Sequence, residues 1–274
     1  MTDSDEAVTY RIDGDIAIIS LNRTEKRNAV NRALSQGLMA CLEKANQDYD
    51  ITVIILRGEG QSFCAGHDVE RNNPEREKYR HNGIRTHHSL SNGMRLATAI
   101  WELHKPIIAS VQGHALGEGC VMSMLCDLTI AAEGALFGEP EIRFSGPATA
   151  MMMPWVVGLK RARELIYMGD MIDAAEAREI GIVNRVVPAD ELEEATLKYA
   201  RRLAKIGPEA LFCARTTINR ILEAQGIRQA FNSTVDLIAP TYATETQVHR
   251  DFQAKVEEVG LAGAFKWRRE EFKE

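Results

Sequence analysis

The chain has 274 residues with 45% apolar and 26% charged side chains, and 33 Lys+Arg against 39 Asp+Glu give a formal net charge of −6. That balance excludes a disordered, collagen-like or disulfide-scaffold chain, and a chain of this length can bury a large core without staples. The acidic balance also argues against a sequence-blind nucleic-acid binder, which needs a basic face. The five cysteines, Cys41, Cys64, Cys120, Cys126 and Cys213, are odd in number and form no CxxC pair, which reads as reduced thiols. Met1 to Glu6 is polar and acidic, unlike a signal or transit peptide, and no apolar run reaches about 18 residues. The expected location is cytoplasmic, with no membrane span.

Along the chain, Val8, Tyr10 and Ile12 alternate with polar residues, Asp13-Gly14-Asp15 is a turn signal, and Ile16 to Leu21 is mostly apolar. This predicts a β-hairpin. Asn31 to Asp48 carries Leu34, Leu38, Cys41, Leu42 and Ala45 at helical spacing. Ile51 to Leu56 is short, apolar and β-branched, as in a strand buried on both faces. Arg71 to Asn82 is charged and contains Pro74, which predicts a solvated loop. His88 to Leu103 reads as a helix stopped by Pro106, Ile107 to Val111 as a strand, Gly117 to Cys126 as a short buried helix, and Leu128 to Ala131 as a strand. Alternating strands and helices imply crossovers, a largely parallel sheet and an α/β fold. After Val187 the pattern turns helical, over Pro188 to Lys205, Pro208 to Glu223 and Thr244 to Glu258. The chain divides into a core over 1–200 and a helical region over 201–274. No repeat of roughly 20–50 residues is present.

Three segments at strand ends have the residue types that chemistry needs. Ser62-Phe63-Cys64-Ala65-Gly66-His67-Asp68 has small residues that admit close approach to the backbone. Val111-Gln112-Gly113-His114-Ala115-Leu116-Gly117-Glu118-Gly119-Cys120 places three glycines where a helix N-terminus can aim amides into a cleft. Phe137-Gly138-Glu139-Pro140-Glu141 sets two carboxylates at a fixed turn. Each alone has an ordinary structural explanation: a turn, or solvated glutamates. His87 and His88 are adjacent and so do not share a helix face, and no third ligand stands at a metal spacing. No metal site is expected. Met151-Met152-Met153 reads as core or pocket lining.

In order and spacing these segments together resemble the crotonase superfamily of enoyl-CoA hydratases and isomerases. The resemblance starts at Leu21-Asn22-Arg23-Thr24-Glu25-Lys26-Arg27-Asn28-Ala29 and runs through the three segments. It ends with Asp173-Ala174-Ala175-Glu176-Ala177 and Gly181-Ile182-Val183-Asn184-Arg185-Val186-Val187. It implies a crotonase-like spiral of ββα units with a helical C-terminal region that forms trimers, often paired into hexamers. It implies an acyl-CoA thioester substrate, no cofactor beyond the coenzyme A moiety, and no nucleic-acid or membrane partner.

The resemblance also assigns site residues. The backbone amides of His67 and Glu118 fall at the oxyanion hole, where fixed donors stabilise the oxygen of a thioester enolate. Of the family's two acid–base glutamates, one position falls on Glu141 and the other on Val121, which cannot move a proton. The family's Gly-rich stretch is replaced by Ser145 to Met151. Lys26 and Arg27 fall near the CoA phosphates, with Ala29 in the same segment, and the backbone of Cys64, Ala65 and Asp68 falls near the adenine. Lys266, in Lys266-Trp267-Arg268-Arg269, is a further CoA contact or part of a solvated tail. The acyl pocket is expected to be lined from 71–91 and 148–157. One glutamate suits a 1,3-proton shift, while Glu118 or His67 as a second acid–base group suits hydration. An acyl-CoA hydrolase, a C–C lyase and a non-catalytic acyl-CoA- or RNA-binding homologue remain as alternatives.

Overall fold

Strands β1 (Val8–Asp13) and β2 (Ile16–Leu21) form the expected antiparallel hairpin, closed by Gly14 at φ 62°. The structure, a computed structural model, describes residues 6–68, 82–144, 146, 151–242, 244 and 246–273. From β2 the chain passes through helix α1 (Arg32–Gln47) into strand β3 (Val53–Gly58), and through α2 (Gly83–Trp101) into β4 (Ile107–Val111). Strand β5 (His114–Leu116) and helix α3 (Glu118–Leu125) lead to β6 (Leu128–Ala132) and β7 (Leu136–Gly138). A 3-10 helix (Pro140–Phe144), α4 (Met153–Val157) and α5 (Leu159–Met168) follow, then β8 (Ile172–Asp173), α6 (Ala174–Glu179) and β9 (Arg185–Val187).

The main sheet has the order β1-β2-β3-β4-β6-β9, parallel throughout except for the hairpin partner β1. A second sheet, β5-β7-β8, was not foreseen from the sequence; its strands have three, three and two residues, too few for a readable period. Cys64 extends it through a parallel bridge to Ala115. From β3 on, the chain leaves the large sheet for the small one, at Cys64 after β3, at β5 after β4 and at β7 after β6, and packs one or more helices before its next large-sheet strand. That repetition is the expected ββα spiral.

Side chains on the large sheet's two faces enter different cores, because successive strand residues point opposite ways. Ile16, Ile18, Val53, Ile55 and Ile108 join one cluster with Leu192 and Ala200 of helix α7 (Leu192–Ala204). Ala17, Ile19, Ile54, Leu56 and Ala109 join the larger cluster with Leu34, Leu38, Leu96 and Val121. Burial on both faces explains why these strands read as apolar runs rather than alternations.

After β9, in addition to a 3-10 turn at Ala189–Glu191, the chain forms α7, α8 (Pro208–Ala224), α9 (Ile227–Tyr242) and α10 (Gln247–Glu270), with a non-helical break at Gly260. Helix α9 was missed: Pro240 and Asn232, Ser233 and Thr234 mask a face formed by Ile227, Phe231, Val235 and Ile238. Helix α10 runs on past the expected end at Glu258, and α2 begins at Gly83 rather than His88, where Asn82 accepts a capping bond from the Arg85 amide at 3.0 Å. Of the charged loop predicted over 71–82, residues 71–81 lie outside the described residues.

Candidate active site

Three chemistry-bearing segments meet because two short parallel strands and the parallel bridge at Cys64 end together. Cys64 is bridged to Ala115 of β5, and β5 pairs with β7 in the register His114↔Leu136 and Leu116↔Gly138. Their C-terminal ends therefore emerge on one edge, delivering Gly66-His67, Gly117-Glu118 and Glu139-Pro140-Glu141 side by side. Backbone bonds lock the edge: Leu116 N–H to Cys64 O at 3.0 Å and Gly117 N–H to Gly138 O at 2.8 Å.

Gly117 is the N-cap of α3, and the first intrahelical bond runs from the Val121 amide to Gly117 O at 3.0 Å. The Glu118 amide belongs to the first helical turn, whose N–H groups lack intrahelical acceptors. On the adjoining segment, Val30 N–H bonds to Gly66 O and Asp68 N–H to Val30 O. In extended backbone this alternation turns the intervening His67 amide to the opposite side. The α3 N-terminus is pressed onto Cys64: a Cβ on Gly119 would collide with Cys64 O. Burial pushes the Cys64 thiol up to about 12, so it is not a nucleophile at neutral pH.

Solvated glutamates, the ordinary expectation for Glu-Pro-Glu, are not what the structure contains. Glu139 is buried, and Oε2 of Glu141 is enclosed with no hydrogen-bond partner. Oε1 of Glu141 fills the space that a side chain on Gly117 would need. Burial pushes the Glu141 carboxyl up to about 7; its own backbone amide and the His67 ring oppose that rise, and the Glu118 charge adds to it. The Glu118 side chain is buried and faces His67, with Oε2 at 3.5 Å from Nε2 of the half-exposed ring. Val121 lies fully buried in the larger core.

The proposed CoA segments also come together. The Ala65 amide donates to Arg27 O at 3.0 Å, so the Lys26–Ala29 loop lies along Cys64–Asp68. Lys26 and Arg27 are exposed. Two residues, one in that loop and one before it, had no role assigned from the sequence. Asn28 is fully buried at φ 57°; its Nδ2 donates to Glu59 O and Ser62 O, and its Oδ1 accepts from the Arg23 amide. Arg23 pairs with Asp68 at 3.0 Å and donates to Ala29 O. An Asn between a basic pair and a small residue was the available signal, since Asn tolerates the left-handed region.

Lys266 stands exposed on α10, which docks on the Glu141 turn: Arg268 Nε donates to Arg143 O at 2.7 Å. Met151, Met152 and Met153 are buried in the larger core, and 147–150 lie outside the described residues. His87 pairs with Asp236 at 2.8 Å. No helix among the described residues is long and apolar enough to cross a membrane.

A parallel spiral with small-sheet strand ends converging on a glutamate with an enclosed carboxylate oxygen is matched in known proteins. The family described as Enoyl-CoA hydratase/isomerase matches residues 11–258. A protein named "Probable enoyl-CoA hydratase" from Rhizobium meliloti is 35% identical over 229 residues, covering 81% of this chain and 86% of its own. A crystal structure of an enoyl-CoA hydratase/isomerase from Xanthobacter autotrophicus Py2 superposes with a TM-score of 0.91 at 32% identity, covering 98% of this chain and 99% of that one. An enoyl-CoA hydratase from Mycobacterium smegmatis superposes with a TM-score of 0.89 at 26% identity, covering 98% and 96%. With both sequence and fold matched over nearly its whole length, the chain belongs to the enoyl-CoA hydratase/isomerase family of enzymes, the crotonase superfamily.

Proposed function

We propose that this enzyme acts on an enoyl-CoA or related acyl-CoA thioester, with Glu141 moving the proton and the His67 and Glu118 amides receiving the thioester oxygen. The observation that carries this reading is the Glu141 carboxylate, with Oε2 enclosed and without a hydrogen bond, held up to about 7 at the edge where both amides emerge. A base of that strength exchanges protons at neutral pH. Removing a proton beside the thioester drives negative charge onto its oxygen, and two fixed amides stabilise that charge without reorganising. The favoured reaction is a 1,3-proton shift: Glu141 takes a proton at one carbon and returns it at another. Buried Val121 favours this one-base chemistry. Lys26 and Arg27 meet the CoA phosphates, with Ala29 beside them, and the Cys64–Asp68 backbone meets the adenine. Lys266 is a further CoA contact, from its own or a neighbouring subunit. The working form is a cytoplasmic homotrimer or hexamer that uses no cofactor beyond the substrate's coenzyme A.

A second reading is favoured by the 3.5 Å His67–Glu118 pair. With Glu118 as the second carboxylate, the site would hold a water and a proton donor at once, as hydration requires. A panel of acyl-CoAs incubated in heavy water separates the readings. Deuterium uptake with double-bond migration supports the proton shift, a mass gain of water supports hydration, and free CoA indicates hydrolysis. No change in any substrate would overturn the enzymatic assignment to CoA esters.

A further inference from the structure

We infer that the C-terminal helix α10 fixes the Glu141 carboxylate by clamping the turn that carries it, which makes Arg268 and Phe265 positioning residues for proton transfer. This rests on the proposed role of Glu141. The physical need is plain. Glu141 Oε2 has no hydrogen bond, and the one backbone bond to the carboxyl comes from its own amide, so the carboxylate's position follows that of the turn that carries it.

Contacts close on this 3-10 helix from several sides. The Gly146 amide donates to Glu141 O at 2.8 Å. Arg143 Nε donates to Met168 O at 2.6 Å, and its guanidinium pairs with Asp170 at the end of α5. Helix α10 supplies the remaining side. Arg268 Nε donates to the Arg143 carbonyl at 2.7 Å, and the Phe144 ring centroid lies 5.0 Å from Phe252 and 4.8 Å from Phe265. Phe272, just past α10, lies under the Arg143 guanidinium at 4.3 Å. Arg143 and Phe144 follow Glu141 by two and three residues, so a shift of α10 moves the carboxylate directly.

The titratable and charged groups around this turn are His67 on the Ser62–Asp68 segment, Glu118 and Cys120 on α3, Glu139 just before the turn, Arg143 on the turn itself, Asp170 after α5, Arg268 on α10 and its partner Glu271 just past it. Loosening the clamp admits water to the carboxylate and relieves the burial that raises its pKa. A displacement of about 1 Å at a reacting group costs on the order of 10²-fold in rate.

The test compares wild type, Arg268→Ala, Arg268→Lys, Phe265→Ala and Glu141→Gln in kcat, KM and the pH profile of kcat. Thermal melts confirm that each variant is folded. Arg268→Ala and Phe265→Ala should lower kcat roughly 10-fold or more with KM little changed, and move the acidic limb to lower pH; the size follows from the displacement argument. Arg268→Lys should restore much of the rate, since an ammonium still donates to the Arg143 carbonyl. Folded Ala variants with wild-type kcat, or with lower kcat and an unmoved limb, would overturn the inference. Full activity in Glu141→Gln would instead overturn the reading on which it rests.

Discussion

The carboxylate of Glu141 lies directly against the backbone of Gly117, with Oε1 in the space a Cβ there would fill. Gly117 is the residue before Glu118 and the cap of α3. One contact thus joins the carboxylate proposed to move the proton to the element whose amide is proposed to receive the thioester oxygen, although the two lie in different segments of the chain.

Gly117→Ala should therefore damage the site from both sides. The new methyl would displace the Glu141 carboxylate, and the backbone at φ 52° disfavours any side chain. Turnover should fall roughly 10²-fold or more, as expected for misplacing a reacting group by about 1 Å. Stability should fall by about 1–3 kcal/mol. Steady-state kinetics and a denaturant melt check the two effects, and unchanged turnover would separate Glu141 from the oxyanion element.

Glu141→Gln keeps the shape of the side chain and removes the base. Turnover should drop roughly 10²-fold or more while CoA binding changes little. In wild type, the limb of kcat/KM assigned to this group should lie near pH 7, with activity rising as the carboxyl ionises. Kinetics across pH and calorimetric titration with CoA measure both. Near-normal turnover in the variant would remove Glu141 from the mechanism.

The same group makes stability depend on pH. Its folded pKa of about 7 exceeds the ordinary 4.5, so between those values the folded state binds more protons than the unfolded state. Stability from the neutral carboxyl is then present below the unfolded value and is lost as pH rises through about 7. The loss is on the order of 3 kcal/mol at most, from 1.36 kcal/mol per pKa unit. Glu141→Gln carries no such charge, so it should be more stable than wild type at pH 8 and about equal below pH 5. Parallel melts at both pH values test this; an equal gap at both would mean the carboxyl is well solvated.

Glu118→Gln separates the one-base and two-group readings, because the backbone amide is retained while the side-chain charge facing His67 is lost. If proton shift is the native reaction, wild type should isomerise a 3-enoyl-CoA faster than it hydrates a short 2-enoyl-CoA, and the variant should keep most of that rate. Hydration should be weaker by roughly 10²-fold than a two-carboxylate site would give. Side-by-side assays of both reactions decide it. Efficient wild-type hydration that disappears in Glu118→Gln would establish Glu118 as the second group.

Much of this protein was legible in local patterns. The hairpin around Gly14, the Asn31-capped α1 and the apolar runs of β3 and β4 follow from periodicity and turn chemistry, which act over a few residues. The same holds for the three glycine- or carboxylate-bearing segments, since residue type and spacing are what a sequence records. Only the tertiary structure decided that these segments share one edge, because that depends on strand register between residues as far apart as Cys64, Ala115 and Phe137. It also decided which charges are buried. Nothing local distinguishes Glu-Pro-Glu on a solvated turn from the same residues packed against Gly117, yet burial, with the Glu118 charge adding to it, raises Glu141 to about 7. The His67–Glu118 pair and the docking of α10 on the Glu141 turn are likewise contacts across the chain. A sequence specifies them only through the whole fold, because desolvation and side-chain contact are set by neighbours that arrive from elsewhere.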